Sequence, residues 1–174
     1  MLLDRDIEGI EASRVLLDNV GACRMGVRRL HDNGYRRIEL VSYDMEVSTI
    51  REREAGYADA MRELGLEEFI GIHRTLYGRA GDSVTRIVAD AHRRGVEAMI
   101  FPTNTLSLMA LQAMNTLGLH LPDDMAVVCF DDNEVFDLYN PTVAHIGQSV
   151  EDLGVRSFEL LRDMIEHNAS PSRY

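Results

Sequence analysis

Apolar positions along the chain follow two alternating rhythms. Arg37-Ile38-Glu39-Leu40-Val41 is short and rich in branched apolar residues, which predicts a strand. Arg51 to Leu64 then carries Ala55, Ala58, Met61 and Leu64 at helical spacing, and Gly65 supplies a C-cap. The pattern repeats: a weaker strand at Phe69-Ile70-Gly71-Ile72, then a helix from Asp82 to Arg94 with Val84, Ile87, Val88 and Ala91 on one face, ended by Gly95. Glu97 to Phe101 predicts a strand stopped by Pro102, Leu106 to Leu117 a helix stopped by Gly118, and Met125 to Phe130 the most buried strand. A helix from Gly21 to Asn33, with Ala22, Met25, Val27 and Leu30 facing inward and Gly34 at its end, precedes them all.

Strands alternating with helices and punctuated by glycine predict an α/β fold, a doubly wound parallel sheet with helices on both faces. After Phe130 the rhythm changes. Asp131 to Pro141 is a polar and aromatic loop, Thr142 to Ile146 a short β segment, and Val150 to Ile165 a final helix. That helix carries Val150, Leu153, Phe158, Leu161 and Ile165 as its apolar stripe, and the preceding sheet offers no obvious partner for it.

Charge narrows the functional classes. The net charge is −11, and all 18 basic residues are arginine. Phosphate neutralisation needs clustered cations, so the chain by itself is not expected to grip nucleic acid. The pairs Arg28-Arg29, Arg36-Arg37 and Arg93-Arg94 fall near helix ends, where cations complement the helix dipole. No apolar run approaches the roughly 20 residues of a membrane span. The start of the chain, Met1 to Asp6, has acids where a signal peptide has basic residues, which predicts a cytoplasmic protein. Cys23 and Cys129 form no CxxC pair, and Cys129 lies in an apolar run that predicts a buried, inert thiol.

In open α/β sheets, ligands bind beyond the carboxyl ends of the strands. That rule selects Ser42, Tyr43, Asp44, Arg51 and Arg53 after the first strand, Thr103 and Asn104 after Phe101, and Asp131 and Asp132 after Phe130. Guanidinium, amide and carboxylate groups on one rim suit a neutral polyhydroxylated ligand, because carboxylates accept from hydroxyls, arginine donates and asparagine does both. Each position has a plainer alternative. Asp131-Asp132 reads equally as a turn, Asn104 as a helix N-cap, and Arg51 and Arg53 as surface partners of Glu52 and Glu54. Nothing indicates an enzyme: G-x-S-x-G, H-E-x-x-H and Walker patterns are absent, and Gly78-Arg79-Ala80-Gly81 lacks the ending of a phosphate loop. The six histidines show no ligand spacing, and no phosphate cradle accompanies the acids Asp131, Asp132 and Glu134. No cofactor or metal is expected.

At these positions the chain resembles the lactose-repressor/galactose-repressor family. Leu2-Leu3-Asp4-Arg5 looks like its apolar-Asp-Arg strand end. Asp18-Asn19 with Gly21-Ala22 resembles its D-N-x-x-G-A helix start. Gly34-Tyr35-Arg36-Arg37-Ile38 is similar to G-H-R-R-I, with tyrosine replacing histidine. Arg51-Glu52-Arg53 with Gly56-Tyr57 is similar to R-x-R-x-x-G-aromatic, and Phe101-Pro102-Thr103-Asn104 to F-A-T-N. Gly118 to Asp123, Phe130-Asp131-Asp132, and Gln148 with Gly154 resemble G-L-x-I/V-P-E/D, F-D-D and Q-x-x-x-x-x-G.

The resemblance implies a type I periplasmic-binding-protein-like fold of two subdomains, with an effector, a sugar or other small metabolite, in the cleft between them. Residues 1–16 would be a remnant of the N-terminal subdomain, 17–146 the C-terminal effector-binding subdomain, and 147–174 the return helix and tail. Arg53, Asn104 and Asp131 would contact effector from one wall and Asp4 from the other. Tyr77 or Leu76 would supply an apolar wall, Gln148 would lie at the crossover, and Tyr139 in a homodimer interface. The family's DNA-binding helix-turn-helix, its hinge, its first βα units and its final strand region are expected to be missing from these residues. DNA would be reached only through that head. A stand-alone or transport-type sugar-binding protein of similar fold is the alternative. From the charge follows one prediction: in a mobility-shift assay at physiological salt this chain shows no sequence-selective DNA retention, and tight selective retention would contradict it.

Overall fold

The computed structural model describes residues 1–167. The C-terminal residues 168–174, where the resemblance puts the tail of the N-terminal subdomain, lie outside the described residues. Five parallel strands form the main sheet: β3 (Ile38–Tyr43), β4 (Gly71–Thr75), β5 (Ala98–Phe101), β6 (Ala126–Phe130) and β7 (Ala144–Ile146). They lie in the order β4-β3-β5-β6-β7, so the order reverses between β3 and β5. Two further strands, β1 (Leu2–Leu3) and β2 (Arg14–Val15), pair in parallel as a separate small sheet.

Alternation along the strands builds two apolar layers, one on each face. Ile38, Leu40, Ala98, Ile100, Val128 and Phe130 point to a layer shared with α1 (Asn19–Asp32) and α2 (Ser48–Glu63). Val41, Met99, Phe101, Val127 and Cys129 point to the opposite layer, covered by α3 (Ala80–Arg93) and α4 (Asn104–Leu117). Strands buried on both faces read as continuous apolar runs, which is why β5 and β6 were legible in the sequence. The doubly wound reading therefore holds. Cys129 is buried as expected, and desolvation pushes its thiol up to about 12.

Departures from the sequence reading sit at edges. The edge strand β4 starts at Gly71, and Glu67–Phe69 is a 3-10 turn rather than strand. Its register against β3, Glu39 opposite Gly71 through Tyr43 opposite Thr75, decides this, and its polar His73 and Arg74 hid it from an apolar search. β2 is too short for any periodic signal. Met25 of α1 is exposed, while Cys23, Gly26, Val27 and Leu30 face the core. Helices α1 and α2 pack closely because Gly56 has no side chain: a Cβ there would lie 2.3 Å from the Val20 carbonyl oxygen. The final helix, α5 (Val150–His167), packs against β2. Among its described side chains Ser157 and Leu160 are buried, whereas Val150, Phe158, Leu161 and Ile165 of the expected stripe are exposed.

A partly buried charge cluster ties the start of β3 to β4 and to the C-terminal cap of α3. Glu39 of β3 accepts from both Nη atoms of Arg94 at 2.6 and 2.7 Å and pairs with His73 Nε2 at 2.7 Å. Burial pushes the Glu39 carboxyl up, but the bonds from Arg94 and His73 outweigh it and hold the pKa at about 2. A carboxyl lowered on folding contributes stability above its unfolded pKa, and that contribution disappears as pH falls toward the folded value. Glu39→Gln is expected to cost about 2 kcal/mol at pH 7, a figure reduced for the half-exposed Arg94. Urea denaturation of the variant and the parent should converge as pH falls from about 4.5 to about 2; curves that remain parallel over that window would refute the pairing.

Candidate functional site

The strand-order reversal between β3 and β5 leaves a crevice beyond the carboxyl ends of the sheet, the position where doubly wound sheets bind ligands. A cavity of about 540 Å³ lies there. Its lining includes Tyr43 from the end of β3, Tyr77 after β4, Thr103 and Asn104 after β5, Asp131 after β6, Gln148 after β7, Arg53 from α2, and Asp4 after β1. All six candidate effector contacts, Asp4, Arg53, Tyr77, Asn104, Asp131 and Gln148, thus line one cavity.

Arg53 is the most buried of them, at 6 % exposure. Its Nε donates to Asn19 Oδ1 at 2.8 Å and its Nη1 to the Pro102 carbonyl at 2.5 Å. Its guanidinium carbon lies 4.6 Å from the centre of the Phe130 ring. Burial lowers its pKa, and the nearby carboxylates Asp131, Asp4 and Glu52 oppose that shift. A guanidinium stays charged under such conditions. Asn19 is held in turn by donating to Glu52 Oε2 at 2.9 Å and to the Leu17 carbonyl at 3.3 Å. Arg53 is therefore no surface partner of its neighbours: Glu52 serves Asn19, and Glu54 pairs with Arg74.

Asp131 is fixed from three directions. Its N–H donates to the Ile146 carbonyl at 3.0 Å, its Oδ2 accepts from the Asn104 N–H at 3.1 Å, and its Oδ1 accepts from Gln148 Nε2. The cap of α4 is Thr103, whose hydroxyl accepts from the Leu106 N–H at 3.2 Å, so Asn104 is the first helical residue rather than the cap. Asn104 Oδ1 accepts from Asn133 Nδ2 at 3.4 Å. Asp4 mirrors Asp131. It follows a parallel strand and donates its N–H to Val15 at the end of the neighbouring strand at 3.0 Å. Asp4 at φ 64° and Asp131 at φ 68° are the two non-glycine residues with left-handed backbone among the described residues. That conformation is sparsely populated outside glycine, although aspartate tolerates it better than most, and strained positions concentrate at functional sites.

Other rim candidates are not brought together. Arg51 is exposed and pairs with Glu46 at 3.4 Å. Asp132 turns toward His145 at 3.0 Å. Asp44 is exposed outside the lining, and Ser42 is buried within the sheet. Tyr139 is half-buried against the α3/α4-side layer. Among the described residues, no group of three or more potential metal ligands occurs and no helix is long and apolar enough to cross a membrane. The sequence reading missed the supporting role of Asn19 and the lining residues Met45, Val47 and Thr49. Asn19 left a trace in the Asp18-Asn19 motif; the lining residues carry no signal that distinguishes them from ordinary loop and helix positions.

A polar cleft on one wall of a doubly wound sheet, with a second small parallel sheet contributing Asp4 opposite it, defines a small-molecule-binding α/β module. The chain belongs to the periplasmic binding protein-like domain family, whose model matches residues 27–174. The HTH-type transcriptional regulator CelR of Thermobifida fusca is 29 % identical over 157 residues, covering 89 % of this chain and 46 % of that protein. A solved complex of transcriptional regulator CelR with cellobiose is 26 % identical with a TM-score of 0.81, covering 99 % of this chain and 54 % of the other. A LacI-type transcription regulator from Bifidobacterium animalis subsp. lactis is 25 % identical with a TM-score of 0.74, covering 94 % and 63 %. These relatives bear out the resemblance to the lactose-repressor/galactose-repressor family. The chain spans about half the length of the curated relatives it matches.

The fork made by Arg53 generates the prediction here. Lysine lacks the planar fork whose Nε and Nη1 serve Asn19 and the Pro102 carbonyl while its plane lies by the Phe130 ring. Arg53→Lys is expected to cost about 2 kcal/mol in urea denaturation, and an unchanged midpoint would show that the fork is not needed for stability.

Proposed function

We propose that these residues form the effector-sensing module of a bacterial transcription regulator of the lactose-repressor type, and that the effector is a neutral polyhydroxylated small molecule, a sugar. The observation that carries this reading is the convergence of Arg53, Asn104, Asp131 and Gln148 on a cavity that Asp4 completes from the second sheet. The charged side chains lining it, Asp4, Arg5, Arg53 and Asp131, balance to zero, which suits an uncharged ligand. Their donors and acceptors match vicinal hydroxyls. The CelR–cellobiose complex supports a sugar.

The arrangement also suggests how occupancy is transmitted. Asp131 is bonded to Gln148, which sits in the segment that leaves the main sheet for α5. A ligand that draws on the Asp131 carboxylate changes the balance of that bond, and with it the relation between the two sheets. In this reading residues 1–16 and 147–174 belong to one subdomain and 17–146 to the other. The module performs no catalysis, works in the cytoplasm, and dimerises with Tyr139 at the interface. It reaches DNA only through a helix-turn-helix head.

The test is Asp131→Ala in a regulator that carries this module with a DNA-binding head. The dose response to the effector is expected to be lost; the thermal midpoint of the free protein falls as well, because Asp131 accepts from Asn104 and Gln148, so the dose response is read at a temperature where circular dichroism shows the variant folded. An unaltered dose response removes Asp131 from the site.

A further inference from the structure

We propose a second small-molecule site, separate from the cleft and set at the crossover between the two sheets, that takes a small neutral ring bearing one hydroxyl, a phenol-type ligand. The chain passes between the small sheet and the main body twice. It runs from β2 through Leu17, Asp18 and Asn19 into α1, and from β7 through Gly147, Gln148 and Ser149 into α5. Both passages line one cavity of about 400 Å³. That cavity has Arg53 and Gln148 in common with the cleft, and the rest of its lining is different. Those two side chains therefore stand between the cavities.

The lining selects the class of ligand. Leu17, Ala22, Met25, Phe130 and Ile146 supply an apolar surface. The charged lining residues, Asp18 and Arg53, cancel, and both are already engaged. Asp18 Oδ1 accepts from the Gly21 N–H at 2.8 Å, and Arg53 is held by Asn19 and the Pro102 carbonyl. The N–H groups of Asn19 and Ala22 donate to the carbonyls of Leu17 and Asp18, each at 2.9 Å. With these N–H groups engaged inside the chain, the start of α1 does not favour an anion. What remains for a ligand is the Gln148 amide oxygen and the Ser149 hydroxyl, an acceptor and a donor that together suit one hydroxyl. The volume lies near the lower end of ligand pockets, which fits one ring.

Met25 marks the mouth. Helical spacing groups it with the inward residues of α1, yet it is 58 % exposed beside this apolar lining. A ring seated in the cavity covers that side chain, and a thioether pairs favourably with an aromatic edge. The same ring touches both crossovers and lies against Asn19 and Phe130, the groups that hold Arg53. The site does not depend on what the cleft binds.

The test is titration of the 174-residue chain with para-fluorophenol, followed by the fluorine resonance of the probe. The methionine methyl groups carry an isotope label, and that of Met25 is assigned by its loss in Met25→Leu. Saturable binding that shifts the Met25 methyl is expected. Ala22→Leu fills the cavity from α1 and should weaken binding about tenfold. Met25→Glu changes an exposed side chain that folding does not need, and should weaken binding by about the same factor. Tyr77→Ala opens the cleft alone and should leave the affinity within about twofold. The anion para-fluorobenzoate should bind about tenfold more weakly than the phenol. Absence of saturable binding, an unmoved Met25 methyl, or parental affinity in Met25→Glu overturns the site. Loss of binding in Tyr77→Ala puts the probe in the cleft and overturns it equally, and tighter binding of the benzoate overturns the neutral class.

Discussion

A buried guanidinium organises the structure around the cleft. Arg53 comes from α2, bonds to the first residue of α1, bonds to the carbonyl just beyond β5, and lies on a ring from β6. A planar fork can join three elements in this way because its donors point in fixed directions. Desolvating such a charge is costly, and the structure offsets the cost with two hydrogen bonds, an aromatic face and nearby acids. The switch point of the sheet is therefore both polar and rigid.

Around that charge the two aspartates occupy equivalent positions in two sheets. Each follows a strand, each adopts left-handed backbone, and each is tied by its N–H to the end of a parallel neighbour. The conformation turns the chain sharply off the strand end and sets the carboxylate at the crevice. Gln148 then links Asp131 to the segment leading into α5, so a residue lining the cleft and a connecting segment share one bond. Local backbone strain, the cleft lining and the segment between the two sheets thereby meet at a few atoms.

Legibility in the sequence followed burial. β5 and β6, covered on both faces, were plain as apolar runs; the edge strand β4 and the two-residue β2 were displaced or invisible because one or no packed face shaped their composition. At the site, Arg53, Asn104 and Asp131 were placed on one rim by the rule for strand ends, before any family pattern was used. The same rule also nominated Arg51 and Asp132, and it could not separate them from their neighbours. Side chains one or two residues apart leave a helix or a turn in different directions, and only packing shows which direction reaches the cleft. Arg51 meets Glu46 in solvent, and Asp132 meets His145.

What the sequence determined by itself was the alternation of strand and helix, the parallel doubly wound sheet, and the edge on which chemistry gathers. Those properties are periodic or local: an apolar run, a glycine after a helix, a polar cluster after a strand. The tertiary structure decided the rest. It selected Asn19 as the support of Arg53, set Tyr43 against Tyr77, and joined Gln148 to Asp131. Each of these pairs brings together residues distant in the chain, and no local pattern encodes which of many polar or aromatic groups will meet. The strand order supplies that information, because it alone puts the ends of β4, β3, β5 and β6 side by side.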